Sequence, residues 1–282
     1  MDKITLTNKL KRISREKQVD FNMLLSLYFM EDFLTKIAKS RYQEYFIFKG
    51  GFLLSSILGI SNRTTMDIDI EVIKYPIEIH KLEEMVKDII KINNNYITYD
   101  IKKITAIREQ DSYGGFNIQL LGHLENIRQP VNIDFATGDP ITPSAIKYEY
   151  QPMIGDEPIS INTYNLESII AEKLQTIYER GIANSRNKDF YDIYLFSKMK
   201  YKDIDFRILS NAILETFTYR GTQWNYKEFM ELINIIDNNR IMINRWKQYA
   251  NSHSYATNIQ FSVIITEVRK IIESIEKVLQ VV

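Results

Sequence analysis

The chain has 282 residues, and its 36 Lys and Arg are balanced by 36 Asp and Glu, which argues against a protein that holds nucleic acid by bulk electrostatics but leaves local basic stretches open. It contains no cysteine, which removes disulfides, thiolate metal sites and cysteine nucleophiles, and its three histidines (His80, His123, His253) are too few for a histidine-rich metal site or a Ser-His-Asp triad. With 45% apolar residues a large core can be buried, and any enzymatic chemistry falls to carboxylates, Lys and Arg.

Two amphipathic segments open the chain and predict helices, one over residues 1–17 and one from Asp20 through Ser40. Asp20 is placed as an N-cap, with Leu24, Tyr28, Phe33, Leu34 and Ile37 on the apolar face. The first segment has no apolar core of the kind a secretory signal needs, and no uncharged apolar run approaches the roughly 20 residues of a membrane span; a cytoplasmic, soluble protein is expected. The run Tyr45 to Phe48, then Lys49-Gly50-Gly51 and the apolar stretch Phe52 to Ile60, reads as strand, tight turn and helix start. From Met66 to Ile73 acidic and apolar residues alternate, so a strand is expected with Asp67, Asp69 and Glu71 on one face and Ile68, Ile70 and Val72 on the other.

Pro76 opens a helical pattern that runs to about Ile92, and strands are expected at Ile97 to Arg108, Gly115 to Leu121 and Val131 to Phe135. Pro140, Pro143, Pro152 and Pro158 then mark an irregular crossing with one further short strand. From Leu166 the pattern is helical to the end, the last segment being Val263 to Val282 with apolar residues at 264, 268, 271, 272, 275 and 279. The expected class is therefore α+β: a mixed sheet with flanking helices over 1–165, followed by a helical domain over 166–282. Basic residues exceed acidic ones by 12 to 8 between Arg180 and Lys247 and by 6 to 2 in the first 17 residues, which makes these the local candidates for an anionic partner.

Asp67 and Asp69 lie two strand positions apart, so their carboxylates project from one face and repel unless a cation lies between them. Hard oxygen donors without nearby His or Cys favour Mg²⁺ or Mn²⁺. An acidic edge strand facing water is the plain alternative for so short a pattern. Lys49-Gly50-Gly51 just upstream tips the balance, because glycines at a helix start let a phosphate approach free N–H groups and the positive end of the helix dipole. In Val131-Asn132-Ile133-Asp134-Phe135 a second alternating strand brings Asp134 forward as a third carboxylate. Three carboxylates beside a phosphate-binding turn are what two-metal phosphoryl transfer requires.

These residues carry a family resemblance. Lys49-Gly50-Gly51, then Gly59, Arg63, Thr65 and Met66-Asp67-Ile68-Asp69-Ile70, resembles the first motif of the AbiEii nucleotidyltransferase-like toxins, members of the polymerase-beta-type nucleotidyltransferase superfamily. Thr65 stands where the family usually has Ser, and Met66 where an acidic residue is common. Ala171-Glu172-Lys173-Leu174, then Arg180 and Arg186-Asn187-Lys188-Asp189-Phe190-Tyr191-Asp192, is similar to the later family motifs. The resemblance covers roughly residues 20–200 in order; residues 201–282 carry no motif.

The resemblance implies a nucleotidyltransferase-type sheet domain, a nucleoside triphosphate substrate (GTP among them), Mg²⁺ or Mn²⁺, and an acceptor such as the 3′ end of a tRNA. It implies the toxin of a toxin–antitoxin pair that arrests growth or aborts phage infection, with an antitoxin encoded by a neighbouring gene and no stable complex between the two. Asp67 and Asp69 are the implied metal ligands, and Lys49, Gly50, Gly51, Ser55, Arg63 and Thr65 line the expected phosphate site. Lys173 is expected on the triphosphate, and Asp189 or Asp192 as general base; helix capping is the simpler role for Asp189, with Arg186 or Lys188 as ion-pair partner. Protein phosphorylation or nucleotidylation on the same site, or nucleotide sensing by a degenerate one, are the competing functions.

Overall fold

The fold begins with two helices whose starts are fixed by aspartates. In the computed structural model, which describes residues 1–75, 78–93, 96–107 and 114–281, Asp2 accepts the Thr5 N–H at 2.9 Å and caps α1 (Lys3–Lys17). Asp20 accepts from Asn22 and Met23 at 2.8 and 3.1 Å and caps α2 (Phe21–Ala38). The chain continues through β1 (Phe46–Lys49), α3 (Gly50–Leu58), β2 (Asp67–Val72), α4 (Ile79–Ile90), β3 (Thr98–Ile107), β4 (Gly115–Leu124), β5 (Ile127–Ala136), β6 (Ile146–Tyr150) and β7 (Ile159–Thr163). Pro76 and Arg108, expected as the start of a helix and the end of a strand, lie outside the described residues.

Among the described residues seven strands form one mixed sheet in the order β3-β4-β5-β2-β1-β7-β6. β2 runs antiparallel to β1 and parallel to β5, and β7 runs parallel to β1. Alternation decides what each face meets. Phe46 and Phe48 of β1, Ile68, Ile70 and Val72 of β2 and Val131, Ile133 and Phe135 of β5 enter one core with Leu24, Phe29, Phe33, Leu34 and Ile37 of α2. The opposite face of the same central strands carries Lys49, Asp67, Asp69, Glu71 and Asp134. The sheet's polar chemistry is thus the other side of its hydrophobic patterning.

Two strands exceed their expected lengths, and one strand is added. β4 and β5 meet in a hairpin turned at Glu125, whose φ is +50°, and their pairing runs from Gly115↔Ala136 to Leu124↔Ile127. Pro130 sits inside β5 opposite Leu121, beyond the stretch paired with β2, which begins at Asn132. The missing N–H of proline therefore interrupts no ladder on that side. In the proline-rich crossing, two strands replace the single one expected: β6 pairs with β7, Ile146↔Thr163 through Tyr150↔Ile159.

The chain divides into two compact units, one of Met1–Asp139 with Ala145–Tyr164 and the other of Pro140–Ser144 with Asn165–Val282. The boundary at 165 expected from chain order thus needs one correction, since Pro140–Ser144 belongs with the helices. The Asn165 amide donates to the Thr142 carbonyl at 2.7 Å, the Thr142 N–H donates to Ser168 Oγ at 3.0 Å, and the Thr142 hydroxyl donates to Glu215. The second unit is helical: α5 (Leu166–Arg180), α6 (Asn187–Leu195) with a π-helical turn at Phe196–Lys200, α7 (Phe206–Tyr219), α8 (Tyr226–Asn238), α9 (Arg240–Ser252) and α10 (Phe261–Leu279). α10 is the spine. Its Ile264, Val268, Ile271, Ile272 and Ile275 are buried, at the spacing expected from the sequence. Among the described residues no helix is long and apolar enough to cross a membrane.

Candidate active site

β1 ends at Lys49, directly opposite Asp69 of β2, and α3 starts at the next residue. Gly50 takes a φ of +66°, and a Cβ built there would fall 1.9 Å from Asp69 Oδ2. Only glycine fits both the conformation and the space. The Gly51 N–H donates to the same Oδ2 at 3.2 Å, and a Cβ on Gly51 would lie 2.8 Å from Thr65 Oγ1. The glycine pair therefore seats the N-terminus of α3 against the acidic strand and against Thr65. Arg63 is buried beside it and donates to the Thr64 carbonyl, with Nη2 3.5 Å from the Cβ position of Gly51. Ser55 does not join this group: its buried hydroxyl donates to the Phe52 carbonyl at 2.7 Å inside α3.

Lys49, expected at the phosphate site, meets carboxylates of its own unit. Its buried ammonium lies 2.8 Å from Glu71 Oε2 and 2.9 Å from Asp139 Oδ2, with the Tyr164 ring 5.1 Å away. Glu71 is fully buried and also accepts the Asp139 N–H at 3.1 Å. Lys49, Glu71 and Asp139 thus form an internal ion cluster that pins the end of β1 to β2 and to the segment after β5. Glu71 was legible as part of the acidic face; Asp139, in a proline-rich crossing, carried no signal.

Asp67, Asp69 and Asp134 emerge from the same sheet face, with Asp69 paired to Asp134 and Asp67 to Asn132 across β2 and β5. Asp67 is exposed, and Asp69 and Asp134 are half-buried. Asn117 of β4, opposite Asp134, donates to its Oδ1 at 2.6 Å. Asn117 was not singled out in the sequence, because its side of β4 becomes relevant only through pairing with Asp134. Among the described residues no group of three or more His, Cys, Asp or Glu is gathered closely enough to hold a metal ion. Asp134, the third carboxylate expected here, thus has one oxygen engaged by Asn117. What remains fits a hard divalent ion: Asp67 and Asp69 are accessible oxygen donors, and Mg²⁺ is commonly held by one or two carboxylates that leave positions for water and substrate phosphates.

The later motif residues meet within the second unit. Asn165 caps α5 by accepting the Ser168 N–H at 2.8 Å, and α5 carries Lys173. The Lys173 ammonium lies 2.6 Å from Asp192 Oδ2 and 3.1 Å from Asp189 Oδ1, and Arg186 Nε is 2.9 Å from Asp189 Oδ2. Asp189 is 1% exposed and Asp192 is 0% exposed. The sequence placed these carboxylates on one helix face; it did not show that they would both turn inward onto Lys173. Asn184, buried in the preceding loop, orients that turn by accepting the Arg186 N–H at 2.8 Å.

A mixed sheet whose glycine-built strand–helix junction abuts a strand of alternating aspartates, followed by a helical unit, is the architecture of a nucleotidyltransferase-type protein. The chain belongs to the AbiEii family, described as "Nucleotidyl transferase AbiEii toxin, Type IV TA system", whose profile matches residues 32–279. Its structure is similar to that of a candidate nucleotidyltransferase from H. pylori, with a TM-score of 0.54 and 13% identity over 93% of this chain and 98% of that one. It is similar also to JHP933 from Helicobacter pylori, with a TM-score of 0.52 and 14% identity over 89% of this chain and 90% of the other. No curated protein matches the sequence significantly. At such identities the structural likeness establishes the fold, and the profile establishes the family.

Proposed function

We propose that this toxin-family protein transfers a nucleotide from a nucleoside triphosphate, GTP among the substrates to be tested, to the 3′ end of an RNA such as tRNA, and that this transfer arrests growth. The observation that carries the reading is the seating of Gly50 and Gly51 on Asp69, which sets the N–H groups opening α3 beside the carboxylates of β2. A triphosphate brought there meets the positive end of the α3 dipole and the hydroxyl of Thr65. Asp67 and Asp69 would hold Mg²⁺ or Mn²⁺, which would supply charge neutralisation at the phosphates and activation of the attacking hydroxyl. The 3′ oxygen of the acceptor forms a bond to the α-phosphorus, the bond from that phosphorus to its bridging oxygen breaks, and pyrophosphate leaves.

Asp134, left outside the metal pair and held by Asn117, is the half-buried carboxylate suited to receive the hydroxyl proton. Asp189 and Asp192 suit that task poorly, because carboxylates buried this deeply and clasped by Lys173 are screened from an incoming hydroxyl. Their role in this reading is to hold Lys173 charged and directed. Lys49 likewise acts by fixing β1 rather than by touching phosphate.

Incubating the protein with RNA and each NTP labelled at the α or the γ phosphate tests the reaction. Label is expected to enter RNA from the α position only, in the presence of Mg²⁺ or Mn²⁺, and Asp69→Asn is expected to lower it at least 100-fold and to relieve growth arrest. γ label on protein, or arrest undiminished by Asp69→Asn, would overturn the proposal.

A further inference from the structure

The acceptor reading leaves open where unpaired nucleotides are held, and the following inference rests on that reading. In the second unit, Tyr191 of α6 is buried at the centre of a ring cluster. Tyr194 stacks on it at 6.0 Å and Tyr255 at 5.2 Å, with interplanar angles of 23° and 25°. Tyr249 of α9 lies 6.2 Å from Tyr191, and His253 stacks on Tyr249 at 4.2 Å. Trp246 backs the cluster from the buried side, 5.4 Å from Tyr249. The hydroxyls of Tyr249 and Tyr255 are 3.1 Å apart, which fixes the two rings relative to each other. Tyr194, Tyr249, His253 and Tyr255 are all half-buried, so solvent reaches four members of the cluster.

Along α9 and the turn after it the charge has one sign. Between Arg240 and Gln260 the chain carries Arg240, Arg245, Lys247 and His253 and no Asp or Glu. Arg245 binds the carbonyls of Ile182 and Asn184 at 3.1 and 3.2 Å, tying α9 to the loop that enters α6, where Lys188 is exposed. Rigid aromatic faces beside cations are the features by which proteins hold single-stranded nucleic acid, the rings taking bases and the cations phosphates. A single nucleotide base needs one or two such faces. Four accessible rings, spread over two helices and the turn after α9, suit a run of unpaired bases. We propose that Tyr194, Tyr249, His253 and Tyr255 form a stacking platform for the single-stranded end of the RNA acceptor, with Arg245, one turn before Tyr249 on the same face of α9, supplying charge for its phosphates.

The test uses the full chain without NTP and a fluorescent single-stranded oligoribonucleotide about ten nucleotides long, a length that spans a typical stacking groove. The single strand is expected to bind in preference to the same sequence as a duplex. Tyr249→Leu combined with Tyr255→Leu is expected to weaken binding by about tenfold or more, as loss of base stacking does, while Tyr249→Phe keeps the ring and the affinity. Because a double variant in a packed cluster can lose its fold, 5-iodouridine-substituted oligonucleotides are also crosslinked to the unmodified protein. Crosslinks are expected on the platform rings. Unchanged binding by a folded double variant, crosslinks mapping elsewhere, or a raised KM for NTP with unchanged RNA affinity would each overturn the platform. The two readings fail separately: RNA bound on the platform without label transfer sinks the transferase reaction alone, and normal transfer by the double variant with unchanged RNA affinity sinks the platform alone.

Discussion

At Gly50 a φ of +66° coincides with an approach to Asp69 that no side chain can share. A left-handed backbone costs a non-glycine residue roughly 1–2 kcal/mol, whereas displacing Asp69 strikes the proposed metal pair directly. Gly50→Ala is therefore expected to reduce nucleotide transfer at least 100-fold, and urea unfolding is expected to show a loss above the roughly 1–2 kcal/mol of the backbone alone, because the overlap with Asp69 adds to it. Lys49 is the opposite case. Its charge is matched by Glu71 and Asp139 in a buried setting, so Lys49→Met leaves two carboxylates without that cation. Breaking a buried pair by removing one member typically costs about 3–5 kcal/mol, and an unfolding midpoint lowered to that extent is the expected result. A variant with full stability and a raised KM for NTP would instead restore Lys49 to the phosphate site.

At the scale of elements, α2 carries a buried carboxyl that the sequence did not single out. Glu31 Oε1 accepts the Tyr150 hydroxyl and the Met153 N–H, both at 2.9 Å, joining α2 to the end of β6 and the loop beyond it. Burial pushes its pKa up from 4.5 to about 7, against the lowering effect of the hydrogen bonds from Met153 and Tyr150. The folded chain thus keeps a proton that the unfolded chain releases between those values. Stability from this group is complete below the lower value and is lost as pH rises through about 7. Glu31→Gln cannot ionise, so its stability relative to the parent is expected to be greater at pH 8 than at pH 5, as read by urea titrations at the two values. An identical difference at both would remove Glu31 as the titrating group. Elements with strong periodicity were legible in advance: α2 from its cap, β2 from its alternation, α10 from its apolar stripe. The extent of β5 was not, because Pro130 reads as a turn until pairing with β4 shows that its missing N–H faces no partner strand.

Over the whole molecule, zero net charge proves to be a sum of local arrangements. Some charges are internal, as in the Lys49 and Lys173 clusters, and the segment from Arg240 to Gln260 is purely basic among its Lys, Arg, Asp and Glu. Composition could not distinguish these, since it counts a buried, matched lysine and an exposed one alike. The motifs located Asp67, Asp69, Lys173, Asp189 and Asp192, but their partners depend on strand register and helix packing. Asn117 reaches Asp134 only across the β4–β5 pairing, and Asp139 reaches Lys49 only after the chain has completed β5.

The short segment Pro140–Ser144 gives the protein an evolutionary constraint. The chain leaves the sheet unit after Asp139, contributes five residues to the helical unit, returns for β6 and β7, and departs again after Tyr164. Thr142 is bonded there to Asn165, Ser168 and Glu215. A single crossover between related genes at the apparent junction near residue 165 would join one parent's helices to another parent's Thr142 segment. Exchange of the sheet unit among relatives thus requires two compatible breakpoints or matched Thr142 contacts, so the sheet and helices are expected to be inherited together rather than traded as separate modules.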